Sequence, residues 1–310
     1  MRIRIGSRDS QLAIKQTQIV MEGIQKAHPE LELELITMKT TGDKILDRRL
    51  DQIGGKGLFV KELDQALLDG RIDLSVHSLK DLPMEIEQSI PLVGFTERED
   101  PRDCLLYKQC YHEKTLLFCD FDSYTIGSSS RRRIVQMQKL YPNARFESIR
   151  GNVQTRLRKL EEQAFDATAL AVAGLKRLGM TQRIDRIFSV EEVIPAAGQG
   201  IIAIQGRRGF DYSFLDCVCD WDSKLAAMAE RAFTKEVNGG CSAPIAAYAY
   251  RKGNQFWIRG MYYSDLFQEF ETGEERIQLS DERENQLYEV ERVGRKLASR
   301  LRESIEGQKK

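Results

Sequence analysis

The chain has 310 residues, with 47 lysines and arginines against 47 aspartates and glutamates, so its formal net charge is zero. That balance argues against a wholly basic nucleic-acid binder, and 41% hydrophobic with 8% aromatic residues excludes a chain left disordered for want of apolar side chains. The length points to two or three domains, because single cores stop growing near about 250–300 residues.

The start, Met1-Arg2-Ile3-Arg4-Ile5-Gly6, lacks the apolar run of a signal peptide, and no apolar stretch approaches the ~18 residues of a membrane helix, so a cytoplasmic protein is expected. Ile3 and Ile5 alternate with arginines as in a short strand. Residues 12–27 then place Leu12, Ile14, Ile19, Val20 and Ile24 near helical spacing, with Ser10 as N-cap. Leu31, Leu33 and Leu35 alternate with glutamates as a second strand. The Gly54-Gly55-Lys56-Gly57 segment fits a lid, residues 58–68 a helix closed by Gly70, and residues 73–77 a strand. Strands alternating with helices at this spacing predict βαβ units and a mostly parallel sheet.

The pattern begins again after Pro101, with strands at 104–107, 125–127, 145–149 and 167–172 and helices at 131–140 and 152–162. Residues 195–200 break it, and the apolar run 201–204 suits a strand returning to the first sheet, which would make two crossings between two lobes. The remainder reads as α+β: a helix at 223–237, a hairpin from 245–250 and 255–263, and a charged amphipathic helix at 285–301. The six cysteines (104, 110, 119, 217, 219 and 241) are expected to be reduced thiols, mostly buried filler. With no Cys-x-x-Cys pair and three scattered histidines, no metal site is expected.

Charge is unevenly placed. Residues 128–160 hold nine basic side chains and one acid, whereas residues 265–292 hold ten acids and three basic side chains. Gly127-Ser128-Ser129-Ser130 follows a strand and opens a helix that starts with Arg131, Arg132 and Arg133, so N–H groups, hydroxyls and a positive helix end converge where an anion binds. Arg150-Gly151-Asn152, with Arg156 one turn on, repeats the arrangement, and Gly6-Ser7-Arg8-Asp9-Ser10 supplies it at the first strand end. These strand ends describe an anion-binding cleft, for which carboxylates and phosphates are equally admissible. No dinucleotide or Walker motif is present.

Val76-His77-Ser78-Leu79-Lys80-Asp81-Leu82-Pro83 ends a strand in polar residues before a proline. It resembles the active-site signature of the hydroxymethylbilane synthase (porphobilinogen deaminase) family. Further motifs of the family follow in order: Gly55–Leu63, Arg98–Asp103, Arg150–Arg156, Leu170–Gly179, Pro195–Gly200 and Gly239-Gly240-Cys241. The likeness spans roughly residues 3–250. It implies an α/β fold of two domains like type II periplasmic binding proteins plus a small α+β C-terminal domain, bounded at 1–97 with 200–218, 102–194 and 222–310. It also implies a transferase that joins four porphobilinogen molecules, each losing ammonia, on a dipyrromethane primer held by a cysteine, and then releases 1-hydroxymethylbilane for heme biosynthesis.

The resemblance gives Asp81 the catalytic part, and a buried carboxylate accepting pyrrole N–H bonds suits the cation left when ammonia departs. It implies primer attachment through the Cys241 thiol, with Lys80, Asp81, Ser128, Ser130, Arg132, Arg133 and Arg156 around the cofactor. Arg8, Ser10, Lys56, Phe59, Arg150, Arg177 and Gln199 are the implied substrate contacts. A product chain bearing acetate and propionate on every ring requires such a cationic cleft, and arginine's planar fork suits carboxylates. Gln52 stands where the family commonly has lysine, Ser128 where it has threonine, Ser242 where it has glutamine and Arg131 where it often has leucine; Arg131 receives no contact. A monomer with a small-molecule substrate and no nucleic-acid or membrane partner is expected. The alternatives are a non-catalytic two-lobed anion sensor and a nucleic-acid binder using the 131–159 face, which would lack an aromatic platform.

Overall fold

In the computed structural model, which describes residues 1–40, 60–110, 124–237 and 244–307, the alternating start of the chain forms β1 (Arg2–Arg8). Its Ile3 and Ile5 are buried and its arginines face outward. Ser10 caps α1 (Gln11–Ala27) by accepting the Ala13 N–H, and Val20 and Ile24 carry the buried stripe of that helix. β2 (Glu32–Met38), α2 (Lys61–Leu68), β3 (Leu74–Ser78) and β4 (Leu92–Phe95) follow. The first sheet has the order β2-β1-β3-β10-β4, in which β10 (Ile202–Gly206) returns from downstream as expected. The sheet is mixed rather than mostly parallel, because β10 enters from the other lobe and runs antiparallel to both β3 and β4.

The second lobe repeats this plan. β5 (Asp103–Tyr107) enters from the first crossing and runs antiparallel to β8 (Ala167–Ala171) and β9 (Arg186–Ile187). β6 (Tyr124–Gly127), α3 (Arg131–Leu140), β7 (Ala144–Glu147), α4 (Val153–Glu162) and α5 (Val172–Arg177) complete it, in the sheet order β7-β6-β8-β5-β9. Both lobes place the antiparallel strand fourth.

The C-terminal unit packs α6 (Trp221–Glu236) and α7 (Arg283–Glu306) on one face of the antiparallel sheet β11 (Ala246–Lys252), β12 (Gln255–Ser264) and β13 (Glu269–Gln278). Phe233, Phe256, Ile258 and Leu297 fill its core. β13 was not anticipated. It is an edge strand in which half the residues are charged, paired along its length with β12, and Gly273 lets Leu301 approach so closely that a Cβ there would stand 2.9 Å from it. Of the described cysteines only Cys104 is buried, its thiol pushed up to about 12 by that burial, whereas Cys217 is exposed, so the expectation of filler fails there.

The two crossings lie against each other: the Glu99 N–H donates to the Gly200 carbonyl at 3.1 Å. Gly200 has φ +90°, and a Cβ there would fall 2.2 Å from the Glu99 carbonyl oxygen, so this close approach admits only glycine. Both crossings are also tied to α6 by one carboxylate. Glu230, 0% exposed, accepts from Arg98 Nη2 at 2.7 Å, from the Gly198 N–H at 2.6 Å and from the Ala249 N–H at 2.7 Å. No helix among the described residues is long and apolar enough to cross a membrane.

Candidate active site

β3 ends in a single tight turn, Leu79–Asp81, and the buried side chains of Leu79 and Leu82 anchor it on both sides. Those two leucines take the inward positions, so Lys80 is half-buried and Asp81 is exposed toward the cleft. The expectation of a buried Asp81 is therefore corrected. Asp81 lines a small pocket with Arg8, from the end of β1, and His77. Burial first, and then the charge of Arg8, push the His77 imidazole down to about 3, so it is neutral at physiological pH; its Nε2 shares a 2.8 Å hydrogen bond with Ser75 Oγ.

Lys80 Nζ donates to Gln199 Oε1 at 3.2 Å. Burial lowers the Lys80 pKa to about 8; Asp81 and Asp103 oppose the shift, and Arg133 and Arg132 add to it. Gln199, expected to contact substrate, is 1% exposed, and its Nε2 donates to the Pro101 carbonyl at 2.6 Å and to Asp103 Oδ1 at 2.9 Å. Its amide donors are directed at the protein itself, so Gln199 positions Lys80 against Asp103 and does not present donors to a ligand.

Asp103, at the start of β5, is the hub of the second lobe's half of the site. Arg133 reaches its Oδ1 through Nη2 at 2.7 Å and Nε at 3.1 Å, and Arg132 Nη1 lies 2.7 Å from its Oδ2. Burial opposes the ionised form of Asp103, but the two guanidinium groups outweigh it and hold the carboxyl well below the usual range. Arg132 and Arg133, 5% and 6% exposed, also donate to the Ile194 and Ala169 carbonyls at 2.6 and 2.9 Å. Their first partner is thus a resident carboxylate, which the sequence reading of them as direct ligand contacts did not include. Two guanidinium charges against one carboxylate still leave one positive charge. Arg156 adds to it, lowered to about 10 by burial and then by Arg133, with Asp81 opposing and Arg150 contributing further.

The hydroxyls behave as caps. Ser130 caps α3 by accepting the Arg133 N–H at 3.4 Å, and its own N–H donates to the buried Ser128 Oγ at 3.3 Å. Asn152 caps α4 through the Thr155 N–H at 2.9 Å, and Ser10 caps α1. A capping hydroxyl still has its own proton to donate. None of α1, α3 and α4 carries an acid in its first turn, so three positive helix ends add to the anion preference.

Some expected residues lie apart. Arg177 donates to the Gly200 carbonyl at 2.5 Å, and Glu99 is the charge it senses, so it belongs to the crossing and not to the cationic cluster. Arg131 pairs with Asp265 and stands 5.6 Å over the Tyr263 ring, joining the second lobe to the C-terminal unit. Lys56, Phe59 and Cys241, like Gln52 and Ser242, lie outside the described residues. Across the cleft, Gln154 Nε2 donates to Gln11 Oε1 at 2.7 Å. Sequence reasoning assigned no role to Asp103 or Glu230; the motif containing Arg98 and Asp103 was noted, but a charged side chain gives no sign of burial until its partners are placed.

A family profile described as the porphobilinogen deaminase dipyrromethane cofactor binding domain matches residues 3–212, and one for the porphobilinogen deaminase C-terminal domain matches residues 224–303. The chain belongs to the porphobilinogen deaminase family. Relatives named porphobilinogen deaminase include one from Acetivibrio thermocellus, 54% identical over 84% of this chain and 88% of the relative. Another, from Ruminiclostridium cellulolyticum, is 50% identical over 92% of this chain and 93% of the relative. Solved structures of related shape include the BenM effector binding domain with benzoate, 15% identical, covering 70% of this chain and 88% of that one at TM-score 0.39. The cofactor of the porphobilinogen deaminase family is dipyrromethane. A polycarboxylate of that kind fits the donor set found here, where burial and then the neighbouring charges of the cluster, Arg133 among them, lower Lys80, Arg132 and Arg156, and Asp103 balances only part of the positive charge.

Proposed function

We propose that this chain acts as a hydroxymethylbilane synthase, condensing four porphobilinogen molecules with loss of ammonia on a dipyrromethane primer held by Cys241, and that Asp81 is the residue at the reacting centre. The observation that carries this reading is the exposed Asp81 carboxylate beside a cluster of cations that Asp103 balances only in part. The bound primer supplies the pyrrole carbon to which the first substrate is joined. Lys80, Arg132, Arg133, Arg150 and Arg156 hold acetate and propionate groups, with Ser128 and Ser130 at the α3 end and Arg8 and Ser10 at the α1 end. Asp81 stabilises the positive charge that appears when the aminomethyl group loses ammonia, and it manages the proton leaving the attacked ring.

The folded units fit domains at 1–97 with 200–218, 102–194 and 222–310. A monomer acting in the cytoplasm without nucleic acid suits the site, because Arg132 and Arg133 are too deeply buried to follow a phosphate backbone. Intact-protein mass spectrometry tests the reading. The purified protein should carry the mass of two linked pyrrole units, and Cys241→Ser should not; an unmodified wild-type protein that consumes no porphobilinogen overturns it.

The Lys80 pKa adds a pH prediction. Lys80 is charged below about pH 8 and neutral above it, so its hold on a carboxylate is present on the acid side and fades as pH rises through 8. KM for porphobilinogen should therefore climb above pH 8, and Lys80→Arg, which keeps its charge, should flatten that limb. A KM profile with the same alkaline limb in the wild type and in Lys80→Arg removes Lys80 from carboxylate binding.

A further inference from the structure

The turn that carries Asp81 is held within its own lobe by the backbone bond of Leu79 N–H to the Ile201 carbonyl, by the Lys80–Gln199 contact and, at Ser78, by the Gln16 side chain. Further support comes from the C-terminal unit. Arg231, on α6, sends Nη2 to the carbonyl oxygens of Pro83 at 2.7 Å and Met84 at 2.9 Å, on the segment that leaves the Asp81 turn. One helical turn earlier on the same helix, Ala227 is fully buried among Leu79 and Leu82, the two residues that anchor that turn. The neighbouring Glu230 pins the helix to both crossings.

From this geometry, and resting on the function proposed above, we infer that Arg231 is a positioning residue for the reaction. It clamps the Pro83–Met84 backbone, so that α6, the helix that precedes Cys241 in sequence, sets where Asp81 stands. Both contacts are made by one nitrogen, Nη2, to main-chain carbonyls, so a charged nitrogen that reaches the same place can make them too. A positioning residue acts mainly on turnover, because Arg132, Arg133, Arg150 and Arg156 lie on other elements and only Lys80 shares the turn.

The test uses primer-loaded wild-type, Arg231→Gln and Arg231→Lys proteins, each checked for primer content by intact mass and for thermal midpoint. Arg231→Gln should lower kcat by about ten- to a hundredfold, the effect of a small misplacement at a reacting centre. Its KM should stay within about twofold and its primer content should match the wild type. Arg231→Lys, which keeps one charged donor, should recover most of the loss. The inference is overturned if Arg231→Gln keeps kcat within about twofold, if KM rises in proportion to the loss, if the loss follows missing primer, or if Arg231→Lys is no better than Arg231→Gln. Should Arg231→Gln not be recovered folded, Arg231→Met takes its place, with the same expected and overturning outcomes. A wild-type protein that consumes no porphobilinogen defeats the underlying reading instead, so the two failures are distinguishable.

Discussion

An Asp81→Asn holoprotein is expected to release ammonia from porphobilinogen about 100- to 1,000-fold more slowly than the wild type, the loss typical of removing one charge-stabilising or proton-transferring group from a reacting centre. Asparagine keeps the shape of the side chain, and Leu79 and Leu82 hold the turn by burial, so the substitution removes charge and proton affinity without moving the backbone. Substrate capture should persist, because Lys80, Arg133 and Arg156 remain and lose only a competing carboxylate. Single-turnover ammonia release under saturating porphobilinogen measures this directly. A rate within about tenfold of the wild type would take Asp81 out of the chemistry and leave the cationic cleft as a binding site alone.

The second large effect is on stability. Glu230→Ala removes a fully buried carboxylate that satisfies Arg98, Gly198 and Ala249 together, leaving a largely buried guanidinium and two N–H groups without that acceptor. Breaking a buried pair from one side costs about 3–5 kcal/mol. For a chain of this size that corresponds to a fall in midpoint on the order of 10 °C. Arg98 also lies 5.4 Å over the Tyr248 ring, so its aliphatic stem and part of its charge stay engaged. The double variant Arg98→Met, Glu230→Met should therefore recover much of the loss, as apolar replacement of a buried pair commonly does. Urea unfolding of the four proteins gives the coupling, and a Glu230→Ala midpoint unchanged from the wild type would mean that this joint does not hold the three units together.

The parts of the fold that could be read in advance are those where burial leaves a period. Ile3 and Ile5 alternate, Val20 and Ile24 repeat at helical spacing, and the apolar run before Gly206 has the length of a buried strand, which is where β1, α1 and β10 lie. β13 has no such apolar period, since most of its charged residues face water, Glu275 turns to Lys296 and Arg300 of α7, and the core side is closed by leucines from that helix. The strand-to-helix ends around Ser10, Ser130 and Asn152 were recognisable from their Gly, Ser and Asn residues; Ser10 caps as expected, and Ser130 and Asn152, read as parts of anion-binding ends, prove to be caps as well. The partners of the arginines were not. Asp103 lies about thirty residues from Arg132 and Arg133, and Gln199 almost a hundred from Asp103, so only the topology that makes β5 the antiparallel strand of the second sheet brings them together. Asp81's exposure escaped for a related reason: which side of a three-residue turn faces the cleft depends on where its neighbouring leucines find a core.

The placement of β10 bears on the order in which the molecule is assembled during synthesis. Among the described residues, the second lobe's sheet is built from strands between Asp103 and Ile187, whereas β4 of the first lobe pairs only with β10, whose residues emerge more than a hundred positions after it. Leu215, beyond β10, also belongs to the first lobe's core. The half of the cleft that carries Asp81 is thus finished after the half that carries Arg132 and Arg133, although it is begun first. A nascent chain whose residue 195 has just cleared the ribosome should hold a folded second lobe and a first lobe still open to protease at β4.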